Sequence, residues 1–332
     1  VNICYHCKQD SALIKADHLL GFDEIPLQNS DPRNQDAVQL LGRPAGDGLI
    51  TIRETDRMLV LSCEQFTYVF NKLTGLFDKM TFANEPLLDQ PMGFNVWRAP
   101  TDNDRKLKAD WYAAHYDHAA TNAYHTEYTV TASSVTLHTH VGIAAICVQK
   151  FLDLDVTWTV ANNGSVDLAL HAQRNTVFPE LPRFGLRLFL PQEMSQVNYY
   201  GMGPMECYCD KHHAASHNSY TATVWQLHED YIRPQENGSH FDCDYVMLAG
   251  DAVRLTAVGT QPFSFNASHY TQEELTRKAH NYELEPCSST VLCLDYAQNG
   301  IGSESCGPRL LEQYRLDDAT FNFGLRLFPE KK

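Results

Sequence analysis

Apolar residues fall at every second position over long stretches of the chain. Leu152, Leu154, Val156, Trp158 and Val160 alternate with polar neighbours, and after Ala161-Asn162-Asn163-Gly164-Ser165 the alternation resumes at Val166, Leu168 and Leu170. Period two puts one set of side chains on one face of a strand, and an Asn-Gly turn between two such runs predicts a β-hairpin. A second hairpin is predicted from residues 66–70, through a turn at 71–75, to 76–82. Val253, Leu255 and Ala257 alternate with Arg254 and Thr256, and Phe321, Phe323, Leu325 and Leu327 repeat the pattern. Sheets with one dry and one wet face are predicted to be antiparallel. A helical period occurs only twice. One helix should follow Asp104, with Leu107, Trp111 and Ala114 on one face; the other should run from Thr271 to His280, opened by a Thr271/Glu274 capping box. Strand and helix do not alternate, which excludes a (β/α) barrel. The predicted class is all-β and antiparallel, with few short helices.

Residues 31–48 break the pattern with Pro, Gly, Asp and Asn and are predicted to be a linker. Before it, two strand-like runs within residues 1–30 are too few to fold alone. After it, residues 49–330 should form one large domain. The chain opens on Val1 inside a strand-like run, with no secretory signal pattern, so it is expected to be a piece of a longer protein.

Composition narrows the partners. With 332 residues, 43% hydrophobic, the chain can bury a large core. A net charge of -15 repels phosphate backbones and argues against nucleic acid. Apolar runs are strand-sized, far below the roughly 20 residues of a membrane span. Ten cysteines sit mostly in apolar strand contexts, as reduced hydrophobes do, so a cytoplasmic setting is expected.

Four stretches could carry chemistry. Cys4 and Cys7 have the spacing of half a zinc site, but a structural site needs four ligands and no second such pair exists. Cys207, Cys209, His212, His213 and His217 are close in sequence without a helical metal spacing; a polar loop is favoured, with a sugar-contacting loop as the minority alternative. Residues 94–104 (FNVWRAPTDND) put Arg98 beside Asp102, Asn103 and Asp104, which a buried corner explains, with Arg98 pairing a carboxylate and Asp104 at a helix start. Residues 299–308 form a loop that a packed core does not require, with Cys306 expected to be accessible. No metal site and no catalytic residue is assigned.

Six blocks then occur in order: FNVWRAPTDND, PRFGLRL (182–188), YYGMGPMECYCDK (199–211), RPQENGSHFD (233–242), SHYTQEEL (268–275) and LDYAQNGIGSESCGP (294–308). Together they resemble the C-terminal part, in some members a separate small subunit, of the large bacterial β-galactosidases of glycoside hydrolase family 2. The resemblance implies an antiparallel super-sandwich like that of galactose mutarotase over residues 49–330, and makes residues 1–30 the last strands of a preceding immunoglobulin-like domain. It implies a retaining hydrolase of lactose and other terminal β-galactosides. Retention uses two carboxyls about 5–5.5 Å apart. In the family both are glutamates of an upstream barrel, so no glutamate here is expected to be catalytic. Magnesium and sodium are expected to bind upstream, and an oligomeric parent is expected.

The resemblance also nominates rim residues: Glu304, Ser305 and Cys306, with Cys306 where other members place a sugar-stacking aromatic, together with Asp102 and Asn103. A thiol offers little stacking area. Where the family more often shows Glu-Asn-Tyr-Pro-Asp-Arg, this chain keeps Glu206, Tyr208 and Asp210 but has Lys211, which lacks the planar fork of Arg. The alternative is a stand-alone aldose 1-epimerase or carbohydrate-binding module, since fold does not fix function. A purely structural role in oligomer contacts is compatible with the first possibility.

Overall fold

The computed structural model describes residues 1–25, 34–46, 48–302 and 305–332. Two compact units divide the chain, residues 1–34 and 35–332. The first is one antiparallel pair, β1 (Asn2–His6) with β2 (Leu19–Glu24). Cys4 lies on β1 and Cys7 follows it; both are free thiols.

The second unit is all-β and antiparallel. It opens with a helix, α1 (Gln35–Leu41), inside the stretch expected to be a linker. Ala37 of α1 is fully buried and packs with Tyr245 and Val258, flanked by Leu40 and Leu41. Arg326 fastens the helix end by donating to the Leu41 carbonyl at 2.5 Å. A five-stranded sheet follows: β3 (Thr51–Glu54), β4 (Met58–Cys63), β5 (Phe66–Asn71), β6 (Leu76–Phe82) and β7 (Glu85–Pro86), paired in sequence order.

The remaining strands form a twelve-stranded branched sheet. They are β8 (Gln90–Asn95), β9 (Ala120–Val130), β10 (Ser134–Ala144), β11 (Leu152–Ala161), β12 (Val166–Arg174), β13 (Arg183–Pro191), β14 (Gln196–Gly203), β15 (Ser216–Thr223), β16 (Ser239–Ala249), β17 (Val253–Ser268), β18 (Ser289–Gln298) and β19 (Thr320–Lys331). The main order is β15-β14-β16-β17-β19-β12-β11-β10-β9; β18 branches from β17 and carries β13, which carries β8.

Both predicted hairpins form. Gly164, at φ +85°, turns β11 into β12, and Gly75, at φ +74°, turns β5 into β6. These two turns also lock the sheets together. Tyr68 donates to the Gly164 carbonyl at 2.6 Å, Trp158 Nε1 donates to the Gly75 carbonyl at 3.0 Å, and Phe77 meets Trp158 edge-on. A single large apolar core runs through both sheets.

The alternation of dry and wet faces holds on β11 and β12 and fails on β13 and β18. Seven consecutive residues of β18 are buried, because both of its faces are covered. The two predicted helices form as α2 (Leu107–Ala113) and α3 (Gln272–Arg277). The cap of α3 is half the predicted box. Thr271 accepts the Glu274 N–H at 3.1 Å, but the Glu274 carboxylate turns instead to the Glu285 N–H at 3.0 Å and to Arg277 and Lys278. The helix ends at Arg277, so His280 lies outside it.

Candidate functional site

Arg98 follows β8 and is fully buried. One arm of its guanidinium meets Asp104 Oδ1 at 2.7 Å and the Gly300 carbonyl at 3.1 Å, while the other donates to the Asn299 carbonyl. Its plane lies over the Trp111 ring, 5.1 Å from the centroid. Asp104 sits in a short 3-10 turn, where its second oxygen accepts the Thr101 backbone N–H at 2.8 Å and the Thr101 hydroxyl at 3.2 Å. Buried carboxylates survive when their lone pairs are filled, and this one is engaged on both oxygens.

The loop after β18 is therefore gripped from the Arg98 corner. It is gripped from three other points as well. Asn103 donates its side-chain amide to the Ile301 carbonyl at 2.8 Å, and Arg105 donates to the Ser305 carbonyl at 2.6 Å. Asp210 accepts the Ile301 N–H at 3.0 Å and the Gly302 N–H at 2.7 Å. Glycine is needed for that approach, since a Cβ at Gly300 would stand 2.8 Å from the Asp210 carboxylate. Asp102 is exposed, its N–H donating to Gln235 Oε1 at 3.0 Å and its carboxylate 3.8 Å from Arg233. Cys306 is exposed with its thiol 3.8 Å from the Ser305 hydroxyl. Glu304 lies outside the described residues.

A second layer supports the first. Glu206, largely buried, receives Lys211 at 2.6 Å, the Tyr231 hydroxyl and the Gly238 N–H at 2.9 Å. Burial pushes its carboxyl upward, but these bonds outweigh burial and hold it below the ordinary range. Lys211 makes one point contact there, where an Arg could fork. Deeper still, Arg183 of β13 forks onto Asp295 of β18 and reaches Glu236 Oε1 at 2.9 Å, with all three side chains essentially without exposure. Burial raises the pKa of both acids despite the guanidinium. The Glu236 N–H donates to the Ala99 carbonyl at 2.9 Å, which ties this layer to the Arg98 corner.

A cavity of about 390 Å³ opens between these pieces, lined by Asp102, Asn103, Asp210, Lys211, Tyr231 and Gln235 among others. Among the described residues, no three His, Cys, Asp or Glu side chains converge to hold a cation. His212 and His217 are engaged by backbone carbonyls, at 3.2 and 2.8 Å.

The structure thus brings Arg98, Asn103, Asp104 and the 299–302 backbone together, and leaves Asp102 and Cys306 on the surface. Sequence reasoning missed Asp210, Glu206, Arg183, Glu236 and Asp295 as a supporting frame. All five lie inside the quoted blocks, which marked the family without assigning these side chains a task.

An antiparallel all-β unit bearing a braced surface loop is the class the geometry defines. Residues 62–327 match the family described as the β-galactosidase small chain, and the chain belongs to that family. It is 38% identical to a β-galactosidase of Actinobacillus pleuropneumoniae over 331 residues, and 35% identical to one of Staphylococcus xylosus over 324 residues. These alignments take in 100% and 97% of this chain but 32% of each relative, so the chain spans about a third of their length. A galactose mutarotase-like protein of Lactobacillus casei aligns over 82% of this chain and all of its own, with TM-score 0.45 and 9% identity. No helix among the described residues is long and apolar enough to cross a membrane.

Proposed function

We propose that this chain is the C-terminal part of a retaining β-galactosidase acting on lactose and other terminal β-galactosides. It supplies no catalytic carboxylate. The turn at 101–105 and the loop at 299–306 form part of the rim of a catalytic site whose glutamates, and whose magnesium and sodium, belong to the rest of the enzyme. The upstream barrel is its partner, the parent is oligomeric, and the setting is cytoplasmic.

One observation carries the rim assignment. The loop after β18, buried at Asn299 and Gly300 and exposed by Gly302, is held by four side chains from two distant segments, Arg98, Asn103, Arg105 and Asp210. Rigid bracing of an exposed loop is what a binding rim requires, because positional error costs affinity. An epimerase is less well supported, since Glu206, the buried acid near His212 and His213, is already committed to Lys211 and Tyr231.

The test is galactoside hydrolysis by this chain alone, then after adding a separately expressed upstream portion of its parent. Silence alone and activity on mixing are expected. Hydrolysis by the chain alone would overturn the proposal, since the catalytic carboxyls would then lie within it.

A further inference from the structure

The segment between β15 and β16 and the segment after α3 leave large side chains in solvent. Trp225 is 51% exposed, Ile232 78% and Tyr282 80%. A lone exposed apolar residue needs no explanation. These residues are linked. Tyr270 meets Trp225 edge-on with 5.9 Å between centroids, and lies 5.1 Å from His228. Asn281 donates its N–H to the Ile232 carbonyl at 2.9 Å and its side-chain amide to Asp230 at 3.0 Å, which brings the Tyr282 segment against the Ile232 segment. Arg233, exposed and next in the chain, lies 3.8 Å from Asp102 and near enough to the exposed Tyr112 for its charge to be felt there. One face therefore runs from Trp225, past Ile232 and Tyr282, to Tyr112 and Arg233 beside the 101–105 turn.

Trp, Tyr and Arg gathered with an aliphatic residue is the composition of protein interface cores, and a contiguous apolar patch marks an interaction site. The face is also pre-formed. Thr223 caps the turn that bears Trp225, accepting the Gln226 N–H at 3.2 Å, and the Glu236 N–H pins the far end of the segment to the Ala99 carbonyl at 2.9 Å. Little ordering is left to lose on contact, which favours association.

Length and position say what covers it. The chain spans about a third of the relatives it matches, so the larger part of such an enzyme lies outside it and must abut it. The 101–105 turn reaches a catalytic site on that larger part only if the two meet on the turn's side. The face begins there: Asp102 contacts Arg233 through its carboxylate and Gln235 through its N–H at 3.0 Å. A sugar chain is disfavoured, because the exposed Ile232 offers hydroxyl groups no partner.

We propose that this face docks the catalytic portion of the parent enzyme, on a protein surface that presents an apolar hollow to Trp225, Ile232 and Tyr282 and a carboxylate to Arg233. The proposal rests on the galactosidase reading for the partner's name and its catalytic role.

Hydroxyl-radical footprinting of this chain alone and of the intact parent tests it, since Trp and Tyr rings oxidise according to their exposure. Trp225 and Tyr282 should oxidise several-fold more slowly in the parent. Ile232→Asp in the parent should bring Trp225 back towards the rate of the chain alone. The same substitution should leave the circular dichroism and Tm of the chain alone unchanged, because the side chain is exposed there. Equal rates in chain and parent would overturn the proposal. Protection lost when the parent is diluted to single subunits, or gained by the chain alone as its concentration rises, would make a second copy the occupant and overturn it too. Protection of the chain alone by an added galactosyl oligosaccharide would do the same, by making the face a sugar platform. A parent that hydrolyses no galactoside would sink the galactosidase reading, while the footprint would still decide whether the rest of the parent covers this face.

Discussion

Arg98 Nη2 and Asp104 Oδ1 stand 2.7 Å apart with side chains 0% and 4% exposed, six residues apart in the chain. The pair is not only a corner, because the same guanidinium holds the Asn299 and Gly300 carbonyls. Arg98→Ala strands a buried carboxylate and two carbonyls at once. Breaking one side of a buried pair costs about 3–5 kcal/mol, so a large drop in Tm is expected. In the full enzyme, KM for galactosides should also rise. Lost stability with turnover and KM intact would remove the rim role.

Asp210→Asn keeps the shape but halves the acceptors facing two N–H groups. An amide oxygen can still take one of them, so global stability should fall by about 1–2 kcal/mol. The distinguishing signal is local. Hydrogen exchange at Ile301 and Gly302 should quicken strongly while β13 and β18 stay protected. Uniform exchange across all three would contradict the anchoring role.

Arg183 brings one positive charge to two buried acids, and its loss should be worse than its own contacts suggest. Arg183→Met is expected to cost about 3–5 kcal/mol, measured by urea unfolding. Arg183→Met/Asp295→Asn should recover part of it, because one stranded charge is then gone. A double variant as unstable as the sum of the singles would mean that the pair is not coupled.

His240 gives the fold a pH dependence. It is packed between Tyr199 and Phe265, and burial lowers its pKa from 6.5 to about 4. Its folded pKa lies below the unfolded one, so protons favour the unfolded chain. Its contribution is therefore intact above about pH 6.5 and is lost as pH falls towards 4, on the order of 3 kcal/mol across the window. His228 and His269 shift the same way, while Glu236 and Asp295 shift oppositely. The check is thus a difference: His240→Gln should flatten the slope of stability against pH relative to the parent. An unchanged slope would show that His240 is not the sensor.

Much of this was legible in the sequence where chemistry is local. Asn163-Gly164 and Gly75 announce their hairpins because only a few residues accept positive φ. The α2 face follows from Leu107, Trp111 and Ala114. Local pattern misled where tertiary covering decides. Ala37, Leu40 and Leu41 carry a helical spacing, yet the surrounding Pro, Gly and Asp read as a linker; burial against Tyr245 and Val258 settles it. β18 is dry on both faces, so alternation could not find it. That Arg98 pairs a carboxylate was readable because both candidates lie within six residues; that Asp104 and not Asp102 is the partner was not. The reach to Asn299, 201 residues away, was not, and neither was the Arg183 to Asp295 fork, 112 residues apart. No period or spacing encodes such partners.

The position of β19 has a consequence for how the polypeptide is made. It lies between β12 and β17, and Arg326 on it forks onto Asp167 of β12, 159 residues earlier. On the ribosome, β9 to β12 emerge as a meander whose β12 edge has no neighbour until β19 follows. For all that time the nascent chain carries an open edge and half a core. Distant closure of this kind is slow, and exposed edges invite wrong partners. The demand for chaperone protection should therefore fall on the interval before β19 is synthesised, and a chain halted within that interval should aggregate rather than wait.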